Sequence, residues 1–177
     1  MEIIRVEDWG IISEKRITGL KEIYENSFPF DERRNFESYK NLNPEIFSFF
    51  LLIDKGILSG FFTFWSFPDF NYIEHLAIKS TFRNRGIGSK LVDFISLGSR
   101  KIIVLEVERP GCDSADKRIR FYLKHSFNFC DFDYLQPSYD KDKKPVQMNI
   151  MAYPNSINIQ RFQGIKNNLY RVVYNSV

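Results

Sequence analysis

The run Arg83-Asn84-Arg85-Gly86-Ile87-Gly88 constrains this chain more than any other stretch. It follows an apolar run, Tyr72-Ile73-Glu74-His75-Leu76-Ala77-Ile78, and opens an amphipathic one, Ile87 to Ile95. That order predicts a strand handing over to a helix through a basic, glycine-rich turn. Glycines there let the backbone turn tightly and let a ligand approach the amides. The unpaired N–H groups of a helix start, with the positive end of the helix dipole, make a site for a pyrophosphate. Arg83 and Arg85 add positive charge. The run lacks the Lys-Ser/Thr ending of a P-loop, and its glycine spacing is not that of a dinucleotide fold.

The rest of the chain supplies a context for this turn. Residues 2–6 read as a first strand. Ile17, Leu20, Ile23 and Tyr24 share one helical face behind a Ser13 cap, and Phe28-Pro29 ends that helix. Asp31 to Leu42 reads as a second, polar helix. Ile46 to Ile53 and Ile57 to Trp65 read as strands joined by a hairpin at Lys55-Gly56. Phe67-Pro68-Asp69 turns the chain into the Tyr72–Lys79 strand. Beyond the glycine turn and its helix, Gly98-Ser99 breaks the pattern and Lys101 to Glu108 is a strand. Asp113 or Ser114 caps a helix running to about Ser126. Phe127 to Tyr134 and Val146 to Tyr153 alternate as strands, with an exposed polar link from Gln136 to Pro145. A last helix follows an Asn155-Ser156 cap and carries Phe162, Ile165, Leu169 and Val172 as a stripe.

Composition bounds the function. With 177 residues the chain suits one domain, and 18 phenylalanines predict an aromatic core. A net charge of +3, dispersed along the chain, argues against nucleic acid as partner. Cys112 and Cys130 have neither a CxxC nor a zinc spacing and read as reduced thiols, and no metal is expected. The N-terminus has no signal-peptide layout and no apolar run reaches the length of a membrane span, so a cytoplasmic protein with no membrane partner is expected.

The Arg83–Gly88 run resembles the Arg/Gln-x-x-Gly-x-Gly/Ala signature of the GNAT acetyltransferases. A second motif is similar as well: Leu105-Glu106-Val107 on a strand, then Phe121-Tyr122-Leu123-Lys124-His125-Ser126-Phe127 at a helix end. The element order β-α-α-β-β-β-α-β-α-β-β also matches that family, with a C-terminal helix added. The resemblance implies an α+β, GNAT-type fold: a mixed central sheet of about seven strands flanked by helices, residues 1–153 forming the core and 154–177 a helical extension. It implies transfer of acetyl from acetyl-CoA, as co-substrate, to a primary amine of a small molecule or peptide, by direct attack in a ternary complex.

The resemblance also places roles on residues. Arg83, Asn84, Arg85, Gly86, Ile87, Gly88 and Ser89 would hold the pyrophosphate of the cofactor. Amides near Leu76, Ala77 and Ile78 would meet the cofactor and the tetrahedral oxyanion. Tyr122 would sit near the sulfur as acid. The Glu108–Ser114 loop has no asparagine where many relatives have one, so Ser114 or Asp113 substitutes for it or the contact is absent. Ser126 stands where the family usually has glycine, a helix end at which glycine accepts a left-handed backbone more cheaply.

An attacking alkylamine has a pKa of ~10 and must lose a proton. Glu106 and Glu74 are the candidate bases, Glu106 the first choice; a water chain, or an acceptor that arrives neutral, are the alternatives. Strand alternation turns His75 away from the face of Glu74. The competing function is a non-catalytic acyl-CoA-binding or sensing module. A homodimer is compatible with the added helix, which could cover a sheet edge or a partner.

Overall fold

The computed structural model describes residues 1–176. Seven strands form one mixed sheet in the order β1-β2-β3-β4-β5-β7-β6. They are β1 (Glu2–Arg5), β2 (Phe47–Asp54), β3 (Ile57–Ser66), β4 (Phe70–Ile78), β5 (Ile102–Glu108), β6 (Asn128–Gln136) and β7 (Val146–Tyr153). All neighbours pair antiparallel except β4 and β5, which run parallel. The β2–β3 hairpin turns at Lys55 and Gly56, with φ of +50° and +77°, the twist that suits a two-residue hairpin.

Helices cover both faces. α1 (Glu14–Ser27) and α4 (Ile159–Asn168) pack on one, burying Leu20, Ile23 and Tyr24 from α1 and Phe162 and Ile165 from α4. α2 (Ile87–Gly98) and α3 (Asp113–Lys124) pack on the other through Leu91, Val92, Ile95, Ile119 and Tyr122. The first face is the aromatic one. Tyr24, Phe36, Tyr39, Phe49 and Phe61 meet with ring centroids 5.1–6.2 Å apart, within the range of favourable aromatic pairing.

Some expected elements differ. Residues 31–42 are two short 3-10 turns, Phe30–Glu32 and Phe36–Asn41, rather than a helix. The Asn35 side chain accepts from the Glu37 amide and restarts the chain there, and Phe36 and Tyr39 bury at the three-residue spacing of a 3-10 turn. The α4 cap is Asn158, whose side chain accepts from the Arg161 amide at 2.9 Å, not the Asn155-Ser156 pair. The α3 cap position is Cys112. Residues 136–145 are not uniformly exposed: Gln136 is buried, and the Tyr139 hydroxyl reaches inward to Glu74.

The end of the C-terminal helix carries the largest departure. After α4 the backbone widens into a π turn, Leu169–Val173. One extra residue in the turn moves the apolar stripe forward by one position, so Val173 is buried where Val172 was expected. The same shift turns Tyr174 into the core.

Candidate active site

The site begins with an interruption of the sheet. β4 and β5 pair only from Phe70↔Ile102 to Ile73↔Leu105. Beyond that point the strands part, and their facing edges line a cleft of about 520 Å³. Glu74, Leu76 and Ile78 stand on one wall and Leu105 and Glu106 on the other; Gly86–Ser89 and Tyr122 close one end, while Asn26–Phe28 form the rim.

Two features open the β4 edge. First, β4 bulges against β3: Phe62 faces Leu76 and Phe64 faces Ile73, so Thr63 alone opposes both Glu74 and His75. The Thr63 hydroxyl accepts the His75 amide at 3.0 Å. The bulge therefore puts Glu74 and His75 on the same face, correcting the expected alternation. Second, the Lys79 amide points to β3, donating to Ser59. Alternation then turns Ala77 to β3 as well, and Leu76 and Ile78 toward the opening. The Ile78 carbonyl there accepts from Arg83 Nε at 3.0 Å, so the Arg83 side chain braces the strand end beside the turn.

The glycine turn forms as expected. Asn84 and Gly86 take left-handed φ of +61° and +77°. Gly86 is the cap residue of α2, and no side chain caps that helix, so its first amides are directed at the cleft. Gly88 has ordinary backbone geometry; its missing side chain leaves the approach clear, with Phe121 Cζ 3.5 Å from where a Cβ would stand. Asn84 and Ser89 line the cleft, and Ser89 Oγ lies 3.1 Å from His125 Nε2, whose Nδ1 is 2.7 Å from Asp93. Arg85 instead stacks over Phe82, 5.1 Å from its ring centre. Ser114 is exposed outside the cleft, its hydroxyl 3.3 Å from the Cys112 thiol; Lys117, Arg118 and Phe121 make that wall. Ser126 has the left-handed φ expected of it, +63°.

The two carboxylates occupy different environments. The Glu74 side chain is fully buried and accepts from four donors: Arg34 Nε at 2.8 Å and Nη2 at 2.6 Å, Trp65 Nε1 at 2.8 Å and the Tyr139 hydroxyl at 3.0 Å. Burial opposes its charge, but the Arg34 guanidinium outweighs burial and holds the carboxyl below its usual range. Only its backbone contributes to the cleft surface. Glu74 is thus the counter-ion of a buried arginine, and its lone pairs are already engaged, which counts against the expected role as base. His75 beside it is neutral, its pKa pushed down to about 4 by burial. Its Nδ1 meets the Tyr39 hydroxyl at 2.9 Å and its Nε2 the Glu32 carbonyl at 3.1 Å.

Glu106 has no cationic partner. It accepts from Tyr134 and, at 2.7 Å, from Tyr174, and burial raises its pKa to about 7. Glu32 rises likewise to about 7, through burial and the nearby Glu108 charge. Tyr122 lies on the opposite face of the sheet, among the side chains packed under α2 and α3, and burial pushes its phenol up to about 12. The slit between β4 and β5 is where the two faces communicate. Among the described residues no three His, Cys, Asp or Glu side chains cluster as a metal site would need, and no helix is long and apolar enough to cross a membrane.

Sequence reasoning did not assign Arg34, Tyr174 or Gln136 to the site. Arg34 lay in the stretch read as a polar helix, and the other two reach the site only through tertiary contacts.

Comparison with known proteins agrees with this geometry. The family profile described as acetyltransferase (GNAT) domain matches residues 45–128. A solved structure from Bacteroides thetaiotaomicron, described as a GNAT-family acetyltransferase, superposes with a TM-score of 0.87 at 29% identity, covering 100% of both chains. Residues 45–128 thus match a GNAT acetyltransferase domain, and the whole chain has the fold of a GNAT-family protein. The same fold recurs in an aminoglycoside 6'-N-acetyltransferase complexed with coenzyme A, at 18% identity and TM-score 0.59, covering 86% of this chain and 96% of that one. It recurs in Arabidopsis thaliana Naa50 in complex with the bisubstrate analogue CoA-Ac-MVNAL, at 20% identity and TM-score 0.59, covering 86% and 98%. No curated protein matches the chain. The matched segment is that of an acetyltransferase enzyme domain, and the sheet and flanking helices are those of the Bacteroides thetaiotaomicron protein.

Proposed function

We propose that this GNAT enzyme transfers the acetyl group of acetyl-CoA to a primary amine by direct attack within the β4–β5 slit. The observation that carries the reading is the slit itself, with uncapped helix amides and Tyr122 on one side and a buried Glu106 without a cationic partner on the other. Coenzyme A in the aminoglycoside enzyme and the CoA-linked peptide analogue on Naa50 support acetyl-CoA as donor and an amine as acceptor.

In this reading the cofactor pyrophosphate rests on the first amides of α2, between Gly86 and Ser89. The amine enters past the rim residues Asn26–Phe28. Its nitrogen attacks the acetyl carbonyl carbon, and amides of Leu76 and Ile78 on the open edge of β4 stabilise the oxyanion. The nitrogen becomes acidic as the C–N bond forms, and Glu106, about half ionised near neutral pH, takes its proton. Collapse breaks the C–S bond. A thiolate has a pKa of ~8.5, well below the value of about 12 for Tyr122, so the phenol stabilises the leaving sulfur by donating a hydrogen bond and solvent supplies the proton.

The test is release of free CoA thiol from acetyl-CoA with a panel of primary amines. Amine-dependent release is expected. Tight CoA binding with no release above the amine-free background would favour an acyl-CoA sensor instead.

A further inference from the structure

On the far side of the slit lies a second, much smaller chamber of about 30 Å³. It shares Phe28, Glu74, Glu106 and Arg118 with the main cleft, so the two adjoin at the slit. A space of that size takes one water-sized group, which needs ~10–15 Å³, and no side chain.

The polar groups around the chamber are mostly spent on one another. Both His75 nitrogens are engaged, by Tyr39 and by the Glu32 carbonyl. The Tyr139 hydroxyl donates to Glu74, and Arg118 pairs with Glu108. Met148 and Phe28 supply apolar wall. The part-buried Glu32 carboxyl is a further acceptor beside Glu106. Gln136 is a donor left over: it is only 2% exposed, it lines the chamber, and its Nε2 has no hydrogen-bond partner. It cannot readily withdraw, because it is the last residue of β6 and pairs with Val146 of β7. A buried amide donor without a partner is unfavourable, and a ligand that supplies an acceptor removes that cost. The chamber thus offers a carboxylate, Glu106, next to an unmet N–H donor.

We propose that Gln136 is a specificity-determining residue that selects amines bearing a terminal hydrogen-bond-accepting oxygen two carbons from the nitrogen, the N–C–C–O unit of amino alcohols and α-amino amides. The nitrogen stands at the slit against Glu106, and the oxygen enters the chamber and accepts from Gln136 Nε2. A simple alkylamine puts a methyl there and leaves the donor unmet. This inference rests on the amine-acetylation reading.

The test uses two nearly isosteric acceptors, 2-aminoethanol and propylamine, which differ by a terminal hydroxyl in place of a methyl. kcat/KM is measured for both with the parent, Gln136→Met and Gln136→Leu; the amines' own pKa difference cancels when their ratio is compared between proteins. The parent is expected to favour the amino alcohol by about tenfold or more, the discrimination of a site built around a hydrogen bond. Gln136→Met should bring the ratio near one by slowing the amino alcohol alone. Gln136→Leu also removes the donor without adding a charge, and gives the same answer if the methionine variant does not fold. A ratio unchanged in the variants, an equal loss for both amines, or no preference in the parent overturns the proposal while leaving amine acetylation standing. A parent that binds acetyl-CoA but acetylates neither these nor any other primary amine instead removes the underlying reading, and the inference with it.

Discussion

The Tyr174 hydroxyl donates to Glu106 Oε2 at 2.7 Å across 68 positions of sequence. The contact exists because the π turn after α4 adds a residue and rotates Tyr174 inward. Tyr174 also lies 3.3 Å from the Tyr72 hydroxyl and 3.5 Å from that of Tyr139, which in turn donates to Glu74. The C-terminal segment therefore contributes to the electrostatics of the candidate base.

A hydrogen bond to a carboxylate stabilises its charged form and lowers its pKa, and Tyr174 is one of the groups opposing the burial of Glu106. Tyr174→Phe removes that donor. We expect the rising limb of the pH–rate profile, centred near 7 in the parent, to move to higher pH by roughly one unit or less while the plateau is nearly kept. A limb that stays in place detaches Glu106 from the titration.

Glu74 and Glu106 should respond oppositely to amide substitution. Glu74→Gln strands the buried Arg34 charge and should cost about 3–5 kcal/mol of stability. Glu106→Gln should remove the pH limb and depress turnover. Its stability effect has a definite sign. The folded-state pKa of Glu106 is raised from about 4.5 to about 7, so the folded protein holds this proton more tightly than the unfolded chain. That contribution is complete below the unfolded value and is lost as pH climbs through about 7. Glutamine does not titrate, so the variant should gain on the parent by up to ~3 kcal/mol between pH 4 and pH 8, at ~1.4 kcal/mol per pKa unit. Denaturant unfolding at the two pH values measures it; a pH-independent difference contradicts the raised pKa.

Local signals were legible in the sequence, and register was not. The Arg83–Gly88 turn, the Leu105-Glu106-Val107 strand and the left-handed Ser126 each depend on a few adjacent residues whose backbone demands are visible in their types. The bulge at Glu74 and His75 depends on how β3 and β4 count against each other, one residue against two, and nothing in β4 alone announces it. Hence His75 was placed on the wrong face. Arg34, 40 positions before Glu74, stands in the sequence only as part of a polar stretch, because its partner is supplied by the fold. The π turn likewise hid Tyr174, since an apolar stripe read at helical spacing leads to Val172 instead of Val173.

Tyr122 tests the assignment of the other face. Its phenol is buried beside the cleft, and at about 12 its pKa favours hydrogen-bond donation over full proton transfer. Tyr122→Phe should lower kcat by roughly ten- to a thousandfold, with little change in CoA affinity. The reduced rate should not fall further at high pH below the phenol's own titration. Unaltered turnover would make Tyr122 a packing residue.

The two glycines of the turn should fail in different ways. Gly86 carries φ of +77° with open space where a Cβ would stand, so its requirement is conformational. Gly86→Ala should therefore cost roughly 1–2 kcal/mol of stability, the penalty of a left-handed non-glycine residue. Gly88 has no unusual backbone, and the nearest atom to its hypothetical Cβ, Phe121 Cζ, is at ordinary contact distance, so the protein itself has room for alanine. What Gly88 leaves clear is the approach to the α2 amides. Gly88→Ala should fold as stably as the parent and weaken CoA binding. Gly88→Asp, which adds bulk and negative charge at the phosphate position, should abolish it. Calorimetric titration with CoA, run beside thermal unfolding of each variant, separates the two glycines; a folded Gly88→Asp protein with parental affinity would remove the pyrophosphate from this turn.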